Sequence, residues 1–132
     1  MASENLTVKR PPEVSAAEGA GLPIAAGTAL QALRTIGAKF DGTGEPLNVL
    51  ITAASGGARN VELVKSLGAD EVLDYRTPEG ASLQSPSGKK YDGVVHCTVG
   101  ISWSTFEPVL ANTGRVVDIT PNFTAILKSV LH

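Results

Sequence analysis

One cysteine, Cys97, is all this 132-residue chain contains, so it holds no internal disulfide and suits a reducing compartment. No apolar run approaches the roughly eighteen residues that a membrane-spanning helix needs, and the N-terminal stretch lacks the basic-then-apolar pattern of a secretory signal. Basic charge is not in excess either. Eleven Lys and Arg stand against thirteen Asp and Glu, for a net charge of -2, which gives no basic field for nucleic acid. The adjacent pair Lys89-Lys90 lies in a Ser/Pro/Gly loop and reads as a solvated turn. Aromatics make up only 5% of the chain. What is abundant is aliphatic: with 42% hydrophobic residues the chain can build the core of one globular domain. Fourteen glycines and eight prolines punctuate apolar segments and form no low-complexity tract.

Pattern along the chain divides it into two parts. Residues 1–46 read as an extended segment, "NLTVKR", stopped by Pro11-Pro12 and followed by helices. Ser15 with Glu18 has capping-box spacing, and Gly19 to Pro23 is expected to break that first helix. A second helix is expected over roughly Ile24–Ile36, terminated by Gly37. Residues 47–132 then alternate. The strand "NVLIT" leads to the helix "ARNVELVKSL", whose Val61, Leu63, Val64 and Leu67 form an apolar face and whose C′ residue is Gly68. After it come "EVLDY", a polar loop from Arg76 to Lys90, "DGVVHCTV", a helix from near Ser102, "RVVDIT", and a last helix from about Asn122. Alternation of this kind predicts an α/β fold, an open parallel sheet of about four strands with flanking helices. Its strands are too apolar for a sheet with one wet face. Ligands of such sheets bind beyond the carboxyl ends of the strands, which singles out the loops after Thr52, Tyr75, Cys97 and Thr120.

The loop after "NVLIT" carries Ser55, Gly56 and Gly57. Glycines after a strand let backbone amides approach a pyrophosphate; two glycines equally make an ordinary tight turn. Asp74, at the end of "EVLDY", falls where an acid would bind the ribose hydroxyls of NAD, so spacing alone favours that cofactor. His96 and Cys97 are strand neighbours on opposite faces and cannot join in one metal site. Cys97 reads as core packing, Trp103 and Phe106 as one buried helix face, and His132 as a solvated residue.

Several strings agree in order with one family. "RPPEVSAAEGAGLP", "LITAASGG", "GARNVELVKSLGADEVLDYRTPEG", "SPSGKKYDGVVHC" and "WSTFEP" closely resemble the plant quinone-oxidoreductase-like and alkenal-reductase branch of the zinc-independent medium-chain dehydrogenase/reductases. The resemblance covers nearly the whole chain up to about Pro121. It implies a Rossmann-type nucleotide-binding domain, NADPH as cofactor, and a quinone or enone as substrate of the intact enzyme. It also implies a deletion: family members insert a helix and a strand, roughly twenty residues, between "AASGG" and "GARN", with Gly57 as the junction here. The family's GroES-like domain would precede Met1, so residues 1–132 are expected to form a single truncated domain with little activity of its own. Pairing with full-length homologues through exposed sheet edges is the alternative role. The resemblance implies a chloroplast-associated or cytoplasmic location.

The same resemblance reassigns the cofactor. It makes "EVLDY" the third strand, so Asp74 is no ribose acid, and it matches Arg59 to a basic position near the 2′-phosphate of NADPH, where a guanidinium makes charge-assisted contacts. Tyr75 matches a position near the cofactor phosphate and equally reads as a packed strand-end aromatic. Thr28 matches a threonine close to the nicotinamide, although Gly27 replaces the usual leucine there. Thr98 to Gly100 follow a strand where the family lines the cofactor cleft. With the deletion, "NVLIT", the helix and "EVLDY" are expected to heal into one βαβ unit, the last strand moving beside the first.

Overall fold

The computed structural model describes residues 7–53 and 60–120. The chain divides into two compact units, Met1–Gln31 and Ala32–His132. The first is dominated by helix α1, Ala16–Thr35, which continues into the second. Its start is the expected capping box: the Ser15 amide donates to Glu18 Oε2 at 2.8 Å and the Glu18 amide donates to Ser15 Oγ at 3.2 Å, satisfying two amides left over at a helix start. The expected break at Gly19–Pro23 does not occur, and Pro23 lies inside the helix. Alanines on both sides favour helix, and residues 20–26 around the proline are exposed. Gly37, at φ 100°, ends the helix. Its amide donates to Arg34 O and the next, Ala38, to Leu33 O, the paired closure that requires a left-handed residue.

In the second unit three strands, β1 (Val49–Ile51), β2 (Tyr91–His96) and β3 (Leu110–Asp118), form one parallel sheet in the order β1-β2-β3. Leu50 lies opposite Val94, and Val94 opposite Val116. The α/β class and the parallel pairing are as the alternation of segments implies. The connecting helices are short: α2 (Val61–Ser66), α3 (Pro78–Ala81), and α4 (Trp103–Phe106) followed by a 3-10 turn at Glu107–Val109. The last expected helix, from Asn122, lies outside the described residues.

Two sequence expectations are corrected here. "EVLDY" is not a strand, so the described sheet has three strands where about four were expected. It does not move beside β1, and the expected βαβ repair does not form. The reason is local. The Glu71 carboxylate accepts from Ser85 Oγ at 2.6 Å and from the Ser87 amide at 3.2 Å, while Gly80 packs so closely that an added Cβ would lie 2.0 Å from Asp74 O. Those contacts hold the segment against the 77–87 loop. Helix α2, six residues and about 9 Å long, is also too short to carry the chain back along a strand. Nor is its expected apolar face covered: Val61 and Val64 are partly buried, Leu63 and Leu67 exposed.

Side-chain alternation splits the core across the sheet. On one face Leu50 and Val94 pack with Leu83, Tyr91, Phe106 and Val109. On the other Val95 packs with Ala32 and Ile36 at the end of α1, joined by Val49, Cys97 and Val117. Gly93 permits this second contact, because a Cβ there would sit 2.5 Å from Ile36 Cδ1. Of the two aromatics expected to be core, Phe106 is buried at 2% exposure and Trp103 is 62% exposed. A four-residue helix has too few turns to bury both.

Candidate functional site

A cleft of about 910 Å³ opens along β1 and the carboxyl ends of β1 and β2, at the upper end of the size range of ligand sites. It is lined by Leu47 to Ala53, by Ala69 to Tyr75 with Val61 and Val64, and by Thr98, Val99 and Ile101. Of the residues singled out from sequence, Tyr75 and Thr98 are brought to this one cleft. Gly100, at φ 88°, makes the turn in the Thr98–Ile101 loop. Thr28 is a partly buried residue of α1 in the other unit. Ser55, Gly56, Gly57 and Arg59 lie outside the described residues.

Thr52 is the pivot where β1 enters the loop. Its Oγ1 accepts from the Cys97 amide at 3.0 Å and lies 2.9 Å from His96 Nδ1, with Thr52 and His96 both buried. The ring's other side meets Phe106 edge-on at 5.2 Å. His96 thus belongs to the Phe106 face and Cys97 to the face of Ile36, so the opposite-face placement expected of them holds. Burial, reinforced by Asp118, pushes the Cys97 thiol up, away from a reactive thiolate. The Thr52–His96 bond was missed from sequence. Its only trace there is that both residues end adjacent apolar runs.

Charge in the cleft is acidic: Asp70, Glu71 and Asp74 face Lys89 alone among the described charged lining residues. Two of the acids are tied. Asp74 is held down to about 2 by the Arg76 side chain, which bonds it at 2.7 and 3.0 Å, and by the Arg76 amide. Glu71 is lowered by Ser85 first and Ser87 second.

Comparison with known proteins gives the class. No family model matches the chain. It is 59% identical over 149 residues to the chloroplastic quinone-oxidoreductase homolog of Spinacia oleracea, covering 96% of this chain and 45% of that protein. It is also 59% identical over 143 residues to the chloroplast envelope quinone oxidoreductase homolog of Arabidopsis thaliana, covering 92% and 44%. A chloroplastic quinone oxidoreductase of Triphysaria versicolor is 53% identical over 153 residues, covering 99% and 46%. An open parallel α/β sheet with agreement on this scale makes the chain a quinone-oxidoreductase-like protein. Within that class it is similar over nearly its whole length to these plant homologues, and it spans less than half the length of those relatives.

The alignments are also longer than the chain they use. Ninety-six per cent of 132 residues is about 127, against 149 aligned; 92% is about 121, against 143; and 99% is about 131, against 153. In each case about 22 positions of the relative face no residue here.

Proposed function

We propose that this chain is the dinucleotide-binding part of a zinc-independent quinone or enone reductase, a shortened Rossmann-type domain that takes NADPH. The observation that best supports this is the gathering of Tyr75, Thr98, Thr52 and Ala53 at one cleft, with Ser55, Gly56, Gly57 and Arg59 following closely after Ala53 in the sequence. The cleft's apolar walls and its aromatic and hydroxyl groups fit the nucleoside parts of a dinucleotide. Its carboxylates disfavour phosphate, so phosphate contacts fall to the loop amides and Arg59. NADPH, when bound, supplies the hydride; the chain's own residues bind and orient it. The Thr98–Gly100 loop is assigned to the nicotinamide end.

Little turnover is expected of the chain alone. Holding donor and acceptor in near-attack geometry contributes about 7–11 kcal/mol, and in the intact family a second domain completes that cleft. The test is calorimetric titration with NADPH and NADH, then with Arg59→Ala. A charge-assisted contact contributes about 1.5–3 kcal/mol, so the substitution is expected to remove most of a tenfold or greater preference for NADPH. Equal affinities in the unaltered chain refute the assignment. Absorbance-monitored NADPH oxidation with a quinone and a small enone tests the silence, and robust turnover by the pure chain refutes it. The outer edge of β1, unpaired among the described residues, favours a second reading, in which the chain pairs with full-length subunits. The relatives' names make the chloroplast the proposed compartment over the cytoplasm.

A further inference from the structure

We propose that the cleft beside β1 is a strand acceptor, which takes in trans a β-strand from the roughly 22 residues of its relatives that find no counterpart in this chain. The inference deepens the pairing reading and concerns the same cleft as the proposed function: the strand would lie along β1, and the dinucleotide at the carboxyl ends of β1 and β2.

Three observations carry it. In the parallel ladder, the Asn48 carbonyl and the Thr52 amide bond to β2, so alternate residues face β2 and the backbone groups of Val49 and Ile51 point to the outer edge. No described residue pairs with that edge. Glu71–Asp74, which also lines the cleft, has no ladder partner among the described residues and is tied by the Ser85, Ser87 and Gly80 contacts.

The alignment excess identifies the occupant. About 22 residues correspond to one helix of three or four turns and one strand of five or six residues. Open α/β sheets of the 3-2-1-4-5-6 order place the second strand beside the first and the third beyond it. Here the first strand has its partner on one side only, and the side left open is where a second strand belongs. Half-exposed Ile51 and partly exposed Leu47 and Val49 line that side. An inserted apolar strand would cover them and satisfy the outer amides, the mode by which extended peptides add to sheet edges.

The experiment uses the full chain and a synthetic peptide spanning the Spinacia oleracea residues that lie opposite the alignment gap. Binding is measured by calorimetry and by amide hydrogen exchange. Saturable binding is expected, with new protection at the Val49 and Ile51 amides, and a scrambled peptide should bind at least tenfold more weakly. Ile51→Pro, which removes an outward amide and no β1–β2 bond, should weaken binding at least tenfold. Because proline can also disturb folding, a peptide N-methylated on alternate residues of its strand provides a second test with the protein untouched, and it too should bind at least tenfold more weakly. Absence of binding, equal binding of the scrambled or N-methylated peptide, or protection elsewhere overturns the proposal. Protection of the same two amides by self-association without peptide also overturns it, making a second copy the occupant. NADPH affinity is read in a separate titration, so failure of one reading does not entail failure of the other.

Discussion

Replacing Thr52 with valine keeps shape and removes a hydroxyl, and the structure sets what that costs. Oγ1 accepts from the Cys97 amide at 3.0 Å and lies 2.9 Å from His96 Nδ1. After the change, both groups lose their partner in a place that water reaches poorly: Thr52 and His96 are 6% and 5% exposed. An unsatisfied buried polar group costs about 1–3 kcal/mol. Cys97 is only partly buried, so its amide falls at the low end, and the pair together should cost about 2–4 kcal/mol. For a domain whose total stability is about 5–15 kcal/mol, the midpoint should fall by on the order of 10 °C. Urea denaturation of wild type, Thr52→Val and Thr52→Ser measures this. Serine keeps the hydroxyl and should recover more than half of the loss. If valine costs less than about 0.5 kcal/mol, or serine is no better than valine, the hydroxyl does not tie β1 to β2 and the reasoning fails.

Gly93→Ala should destabilise by about 1–3 kcal/mol, because its Cβ would lie 2.5 Å from Ile36 Cδ1 and an overfilled core must shift; in a double-mutant cycle Ile36→Ala should cost less in the Gly93→Ala background than alone, and simple additivity refutes the contact. Gly80→Ala is expected to be worse, since the obstacle at 2.0 Å is the Asp74 carbonyl and backbone cannot rotate aside; urea denaturation giving wild-type stability refutes the close packing of Asp74 on Gly80. The Asp74 carboxyl should titrate at about 2 by NMR and return toward 3.8 in Arg76→Ala. Because its folded value is depressed, the pair's contribution is present above about pH 4 and lost as pH falls toward 2; a midpoint unchanged by Arg76→Ala contradicts the clasp. Cys97 should react with iodoacetamide more slowly than free cysteine at neutral pH, because burial and Asp118 disfavour its thiolate; a rate equal to that of free cysteine counts against this.

Local chemistry made much of this protein legible in the sequence. The Ser15–Glu18 capping box and the terminators Gly37 and Gly68 could be read because each depends on a few neighbouring residues. β1, β2 and the second half of β3 could be read because each is a compact apolar run, and a central strand of a parallel sheet is buried on both faces; the first half of β3, Leu110–Gly114, carries no such run. Tyr75 and Thr98 could be placed near one site because both end or follow such runs.

Only tertiary structure decided the rest. "EVLDY" has the composition of a strand, but a strand exists only beside a partner, and contacts with Ser85, Ser87 and Gly80 hold it against the 77–87 loop. Trp103 and Phe106 share helical spacing, yet α4 is one turn long and buries only the second. Pro23 has the chemistry of a breaker, but the exposure of the surrounding turn let α1 continue. The Thr52–His96 bond joins residues 44 positions apart and arises only from the parallel pairing of β1 with β2. In each case the sequence supplied the side chain's chemistry, while the outcome rested on which distant groups were there to bond, cover or crowd it.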